Sequence, residues 1–303
     1  MVCYTVFTHN VIFKYKATLC SKATCILSVI IILTFLFPFL LSYNSHGFWL
    51  KTDSYKEQPD IHFKQDYLLI LETNSQDLPF LCGTFPNLNK LSTIYGYCSL
   101  VKIFENDHNS DGLNDHLYFE VEVKMLGKNE VKSVTLLLLF DYKISDYCWV
   151  QMEGLGLAQH NSPLSGNRLD FIADLTMVQR QPLNPRLQNK LYNYSILAKN
   201  DEYLNLPSLL ATYALRSVNT HLENTYAVWT SGRSEEDPFT IRASISYPEI
   251  TVTYKPTFWQ IIKFAWIQYF SILVISMYFF NLFKQFVFFN RLVHTKKENP
   301  CQI

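Results

Sequence analysis

Two long apolar runs bracket this chain, and they constrain its fold more than any other feature. Residues 23–45 contain no charged side chain, and the core of that run reads Cys25-Ile-Leu-Ser-Val-Ile-Ile-Ile-Leu-Thr-Phe-Leu-Phe-Pro-Phe-Leu-Leu41. A bilayer core about 30 Å thick needs about 20 apolar residues in a helix, and the run meets that need. Pro38 sits in its last third, where a membrane helix tolerates a kink better than a soluble one does. The second run spans residues 264–283, between Lys263 and Lys284, and is rich in aromatics. Trp259 and Trp266 cluster near its start, and indole rings favour the water–lipid boundary. Uninterrupted apolar runs of this length are rare in soluble cores.

The first run follows Lys14, Lys16 and Lys22, as a signal peptide would. It is long, however, and continues into Ser42-Tyr-Asn-Ser45 without a clear small-x-small cleavage site, so a retained signal anchor fits better. Basic residues set the orientation. The first 22 residues carry three lysines and no acid, and the far tail carries Lys284, Arg291, Lys296 and Lys297 against Glu298. The inner flanks hold Lys51, Lys56, Lys255 and Lys263. The balance favours both termini in the cytosol. The expected organisation is a cytosolic N-terminus (1–22), a first membrane helix (23–43) and an extracellular or lumenal domain (44–257). A second helix with its interfacial flank (258–283) and a cytosolic tail (284–303) follow. Phe283, Phe286, Val287 and Phe289 suit a short interfacial helix, or a further turn or two of the membrane helix.

The middle region reads as strands. Leu117, Phe119, Val121 and Val123 point one way, while Tyr118, Glu120, Glu122 and Lys124 point the other. Residues 239–247 and 250–254 alternate in the same manner, and 131–140 is a continuous apolar run suited to a fully buried strand. Further candidates are 67–71, 169–178, 191–197 and 226–230, with a helix over 207–218. The expected fold class is therefore a membrane protein with two transmembrane helices and a mainly-β, antiparallel, sandwich-like ectodomain. Few residues separate its outer strands from the helices, which places the domain near the membrane. The chain has as many basic as acidic residues, a mean hydropathy of +0.02, and no concentrated basic face for nucleic acid. Its expected non-protein partner is membrane lipid.

The sharpest local motif is Asp107-His-Asn109-Ser-Asp111-Gly112-Leu113-Asn-Asp115. Side-chain oxygens fall at positions 1, 3, 5 and 9, Gly112 permits a turn at position 6, and the Leu113 carbonyl suits position 7. Hard cations need six to eight oxygens, which a short loop can supply at this spacing. Two readings fit: a structural calcium loop, or a polar turn leading into the Leu117 strand. It is no EF-hand, since position 12 is Tyr118 and a strand follows. Asn193-Tyr-Ser195 is an N-glycosylation acceptor in the predicted ectodomain. Cys82, Cys98 and Cys148 fall in that domain, allowing one disulfide; Cys82–Cys98 is the nearest pair. Cys20 and Cys25 lie at the membrane boundary, where palmitoylation occurs, though either also serves as a small apolar residue. Nucleophile-elbow, metalloprotease, phosphate-loop and Cys-x-x-Cys patterns are missing, so no catalytic role is expected.

Taken in order, several stretches resemble the transmembrane protein 231 family. They are Leu19-Cys-Ser-Lys-Ala23, Ser45-His-Gly-Phe-Trp-Leu-Lys51, Ser54-Tyr55 with Glu57-Gln-Pro59, and the Asp107 to Asp115 loop. Tyr192-Asn-Tyr-Ser195, Phe258-Trp259 and Lys263-Phe-Ala-Trp-Ile-Gln-Tyr269 complete the set. The resemblance covers nearly the whole chain. It is strongest at the membrane flanks and weakest near 74–100, 150–190 and beyond Arg291. It implies a structural subunit of the tectonic-like, Meckel-syndrome-associated complex at the ciliary transition zone. That complex forms a diffusion barrier between ciliary and plasma membranes and supports cilium assembly and Hedgehog signalling. The implied partners are tectonic proteins, B9-domain proteins and other transition-zone membrane proteins. Two other classes share this topology: a two-helix channel subunit and a lipid or small-ligand receptor. Against the channel, the apolar runs lack a charged or Gly-rich pore element.

Overall fold

A computed structural model describes residues 14–19, 21–45, 50–74, 79–84, 96–125, 129–196, 205–234 and 237–298. Cys20 and the His46-Gly-Phe-Trp49 stretch, singled out above, lie outside the described residues. In chain order the elements are β1 (Lys14–Lys16), α1 (Lys22–Asn44), β2 (Asp53–Glu57), β3 (Asp60–Thr73), β4 (Phe80–Gly83), β5 (Gly96–Asn106), β6 (His116–Met125) and β7 (Val131–Ile144). Then come β8 (Val150–Asn161), β9 (Gly166–Gln179), α2 (Leu206–Ala214), β10 (Val218–Ser231), β11 (Phe239–Ser246), β12 (Ile250–Tyr254), α3 (Phe258–Phe289) and β13 (Lys296–Glu298). They form two compact units: Met1–Lys51 with Pro256–Ile303, and Thr52–Lys255.

The first unit is helical. Ser21 caps α1 by accepting the Thr24 N–H at 3.3 Å, and Gln260 accepts the Thr257 N–H at 2.8 Å at the start of α3. The helices have 23 and 32 residues, each long and apolar enough to cross a bilayer. Pro38 is accommodated inside α1. α3 begins before the apolar run and continues without interruption to Phe289, so the aromatic tail prolongs the helix instead of forming a separate one. The two helices meet through the edge-to-face pair Phe37–Phe280, centroids 6.1 Å apart, and through Tyr269, whose hydroxyl donates to the Phe35 carbonyl at 3.4 Å. Most of their apolar side chains point outward; Ile32 is 60% and Phe279 64% exposed. Such surfaces suit a lipid solvent and would be costly in water. β1 and β13 pair antiparallel in a two-stranded ladder.

The second unit is a β-sandwich. One sheet runs β10-β9-β11-β6-β5 and the other β4-β3-β7-β8, with β12-β2 as a separate pair. The alternation in β6 and β11 turns Leu117, Phe119, Val121, Ile241, Ala243 and Ile245 to one face, all fully buried. They share one core with Ile61, Phe63, Leu69, Leu136, Leu138 and Phe140 of the opposite sheet. Phe63 and Tyr67 bridge the sheets by meeting Phe119 edge-on at 6.1 and 5.2 Å. The inner contacts are those of packed sheets burying apolar side chains from both sides.

Three expectations need correction. The pairing is not wholly antiparallel: β11 runs parallel to β9, because the chain turns from β10 at the sheet edge and enters on the far side of β9. The segment 191–197 is no strand where described; residues 191–196 form turns and bends. Its aromatic and apolar residues, which mimic a strand pattern, are used for stacking and for covering a sheet. The helix over 207–218 is also shorter, since α2 ends at Ala214 and β10 starts at Val218.

Candidate functional site

The loop between β5 and β6 holds the densest set of polar side chains singled out from the sequence. It is built as a turn. Gly112 has φ +89°, a conformation that favours glycine, and Ser110 has φ 59°. Asp107 Oδ2 accepts the Gly112 N–H at 2.9 Å, and Asp111 Oδ1 accepts the Leu113 N–H at 2.8 Å. Asn109 Oδ1 accepts the Asp111 N–H at 3.0 Å, while its amide donates to Asp111 Oδ2 at 2.8 Å. Asp115 closes the loop: Oδ2 accepts the His108 N–H at 2.8 Å, and Oδ1 accepts the Gln58 amide at 2.8 Å. The His108 N–H, then the Gln58 amide, hold the Asp115 carboxyl below the usual carboxylate range.

These bonds test the fit of a cation. Asp111 and Asp115 spend both oxygens on protein donors, and Asp107 Oδ1 is the one loop carboxylate oxygen that is buried without a partner. No group of three His, Cys, Asp or Glu side chains converges as a metal site among the described residues. The hydrogen bonds build a polar turn, and each carboxylate oxygen keeps a lone pair beside the bond it accepts, so the same oxygens could also face a calcium ion.

The Glu57-Gln-Pro59 stretch positions two loops at once. Gln58 reaches Asp115, as above. Glu57, only 6% exposed, accepts the Ser145 and Asp146 N–H groups at 2.8 and 2.9 Å and the Tyr55 hydroxyl at 2.9 Å. A buried carboxylate needs such donors, and here they are the amides of the β7–β8 turn. The Tyr55 oxygen also accepts the Cys148 N–H at 3.0 Å. Cys148, the unpaired thiol of the β-sandwich, is 1% exposed, and burial pushes its pKa up. It is a core residue with little thiolate character. Cys82 of β4 and Cys98 of β5 form a disulfide, which ties the edge of one sheet to the edge of the other.

Asn193 is exposed in a tight turn, its N–H donating to the Lys190 carbonyl at 3.1 Å. The tyrosines on either side anchor it. The Arg216 guanidinium lies over the rings of Tyr192, Tyr194 and Tyr213, at 5.0, 4.8 and 4.8 Å. Arg216 also donates to the Glu153 carbonyl at 3.1 Å, and the Glu153 carboxylate accepts the Ile196 N–H at 2.6 Å and pairs with Lys64. Sequence reading missed Arg216 and Glu153. A lone arginine and an acid in a glycine-containing segment carry no local signal of burial.

The acceptor asparagine, the polar loop and the disulfide lie apart in sequence, on separate loops and strands. The family model for transmembrane protein 231 matches residues 1–297. Transmembrane protein 231 of Xenopus tropicalis is 36% identical over 298 residues, covering 97% of this chain and 96% of that protein. The proteins of that name from Rattus norvegicus and Bos taurus are 37% and 38% identical, each covering 97% of this chain and 94% and 95% of theirs. Among solved structures, a proton-activated chloride channel aligns over 88% of this chain and 99% of its own, with 8% identity and a TM-score of 0.26. A similarity that low carries no argument about fold or activity. The relatives decide the matter: with two apolar helices flanking a mainly-β domain, this chain belongs to the transmembrane protein 231 family.

Proposed function

We propose that the chain is a structural subunit of the tectonic-like complex at the ciliary transition zone. There it contributes to the diffusion barrier between ciliary and plasma membranes, and through it to cilium assembly and Hedgehog signalling. The observation that carries this reading is family membership along nearly the whole chain, membrane helices and ectodomain together. The physical design supports it. Two apolar helices hold a folded domain, and the polar groups at its sequence landmarks are engaged in shaping loops and sheet edges. A barrier of this kind acts by crowding within an immobile assembly, and stable surfaces serve it better than a reactive centre.

In this reading both termini face the cytosol and the strand domain lies on the other side, with Asn193 carrying a glycan. Its exposure in a turn suits an acceptor. Tectonic proteins, B9-domain proteins and other transition-zone membrane proteins are the partners. Endogenous tagging with super-resolution imaging tests the proposal. A ring of signal at the ciliary base is expected, and uniform plasma-membrane signal would contradict it. Glycosidase treatment tests the orientation: a mobility shift that disappears in Asn193→Gln is expected, and the absence of any shift would contradict it.

A further inference from the structure

The last turns of α3 carry large aromatic side chains past the first charged residue of the tail. Phe286 and Phe289 follow Lys284 and are both exposed. With Leu27 of α1 and Tyr15 of β1 they help enclose a cavity of about 660 Å³, whose walls include Leu282, Lys284 and Asn290. That volume lies within the range of small-molecule sites. The walls are of two kinds. Leu27, Leu282 and Phe286 offer a surface for a hydrocarbon chain, while Lys284, Asn290 and Tyr15 offer one cation and two hydrogen-bonding groups.

The surroundings add a charge preference. Lys14 and Lys16 precede α1, Lys22 opens it, and Lys284, Arg291, Lys296 and Lys297 end or follow α3, against the single acid Glu298. A soluble anion would leave the apolar walls unused, and a sterol or neutral lipid would bring no negative charge to meet Lys284 in the wall. Basic residues clustered beside a membrane helix are the usual recognition element for anionic lipid headgroups.

We infer that this cavity holds one anionic phospholipid. An acyl chain lies along Leu27, Leu282 and Phe286, and the phosphate rests at Lys284. Tyr15 faces the cavity. Strand alternation turns Lys16 and Lys296 to the other face of the ladder, away from the headgroup. The inference does not rest on where in the cell the protein resides, and it stands or falls separately from the ciliary reading.

The test uses the full-length protein in phosphatidylcholine nanodiscs containing a minor fraction of phosphatidylserine, with bound lipid read by native mass spectrometry. Wild-type protein is expected to retain one phosphatidylserine in preference to phosphatidylcholine. Lys284→Gln should lower that preference about fivefold, the effect of one lysine at an anionic surface. Phe286→Ala should lower retention of either lipid, and Lys263→Gln, near the opposite end of α3, should leave it unchanged. Retention in the ratio of the bulk membrane would overturn the inference, as would an unaltered preference in Lys284→Gln. Displacement of the lipid by inorganic phosphate in the buffer would also overturn it, because the site would then be one for a free anion.

Discussion

The chain itself covers the outer face of the four-stranded sheet, whereas the outer face of the five-stranded sheet is left open by the described residues. On the covered face, Leu68, Leu137, Leu139 and Leu155 are buried with Tyr213 of α2, and Leu206, Leu209, Leu210 and Ile196 pack against them. The hidden edge of β8 is satisfied as well. The Leu155 N–H donates to the Tyr213 hydroxyl at 3.0 Å and to Thr220 Oγ1 at 2.8 Å, and the Glu153 N–H to the Tyr192 carbonyl at 3.1 Å. On the open face, strand register aligns Phe104, Tyr118, Ser244, Ile172 and Tyr226 in one row. The adjacent row is ionic: Glu120 pairs with Lys102 at 3.5 Å and Arg242 at 3.2 Å, and Asp170 with Arg168 at 2.8 Å. The same fold thus builds one face by hydrophobic cover and the other by charge pairing in water. The first contributes far more stability per residue than the second.

Mutations sharpen this contrast, and all are to be made in the full chain, with unfolding in detergent followed by tryptophan fluorescence. Leu137→Ala empties a fully buried site on the covered face and should cost about 2–5 kcal/mol; a loss below about 1 kcal/mol would deny that the cover is tightly packed. Replacing Cys82 and Cys98 with serine removes the tie between sheet edges 16 residues apart in sequence and should cost about 2–4 kcal/mol. An unchanged midpoint in the double variant, compared with wild type under non-reducing conditions, would indicate that the sheets need no tie.

The open face should respond to acid. Burial opposes ionisation of Glu120, but the Arg242 and Lys102 cations outweigh it and hold its carboxyl below the ordinary value of 4.5. The stabilisation is therefore fully present above about pH 4.5 and lost as pH falls through the lowered pKa. Glu120→Gln should flatten that acid loss, by about 1 kcal/mol or less because its partners are half exposed. An identical acid profile in the variant would remove Glu120 from the account. Ile172→Ala should have the smallest effect, within about 0.5 kcal/mol, as an exposed side chain on the open face. A cost comparable to Leu137→Ala would mean that this face is covered after all.

The same contrast explains what the sequence disclosed. β6 alternates because one face meets the core and the other meets water. The run Val134 to Phe140 in β7 is apolar almost throughout because both of its faces are covered. Both were legible for that reason. β8 was not, since it carries Glu153, Gly154 and Gly156 where a strand pattern needs apolar residues. The structure explains the glycines: a Cβ at Gly154 would meet Thr220 Oγ1 at 2.9 Å, and one at Gly156 would meet the Phe140 ring at 3.0 Å. Close approach of β10 and a bulky core ring demanded them, and neither is visible locally. β5 was missed because an edge strand with an exposed side mixes polar and apolar residues without period. The Asp107 to Asp115 turn was readable from its own residues, but its tether to Gln58 was not, because it joins segments far apart in the chain. Tyr192 and Tyr194 looked like strand residues because the stacking partner, Arg216, lies beyond α2.

The central claim is that this chain works as a membrane-held structural subunit of a larger assembly. Affinity purification of the endogenously tagged protein from ciliated cells in mild detergent, followed by quantitative mass spectrometry, tests it most directly. The account predicts recovery of tectonic and B9-domain proteins in near-stoichiometric amounts, beyond the level seen with an unrelated two-helix membrane protein. Recovery of the chain alone, or of those proteins at the control level, would contradict it.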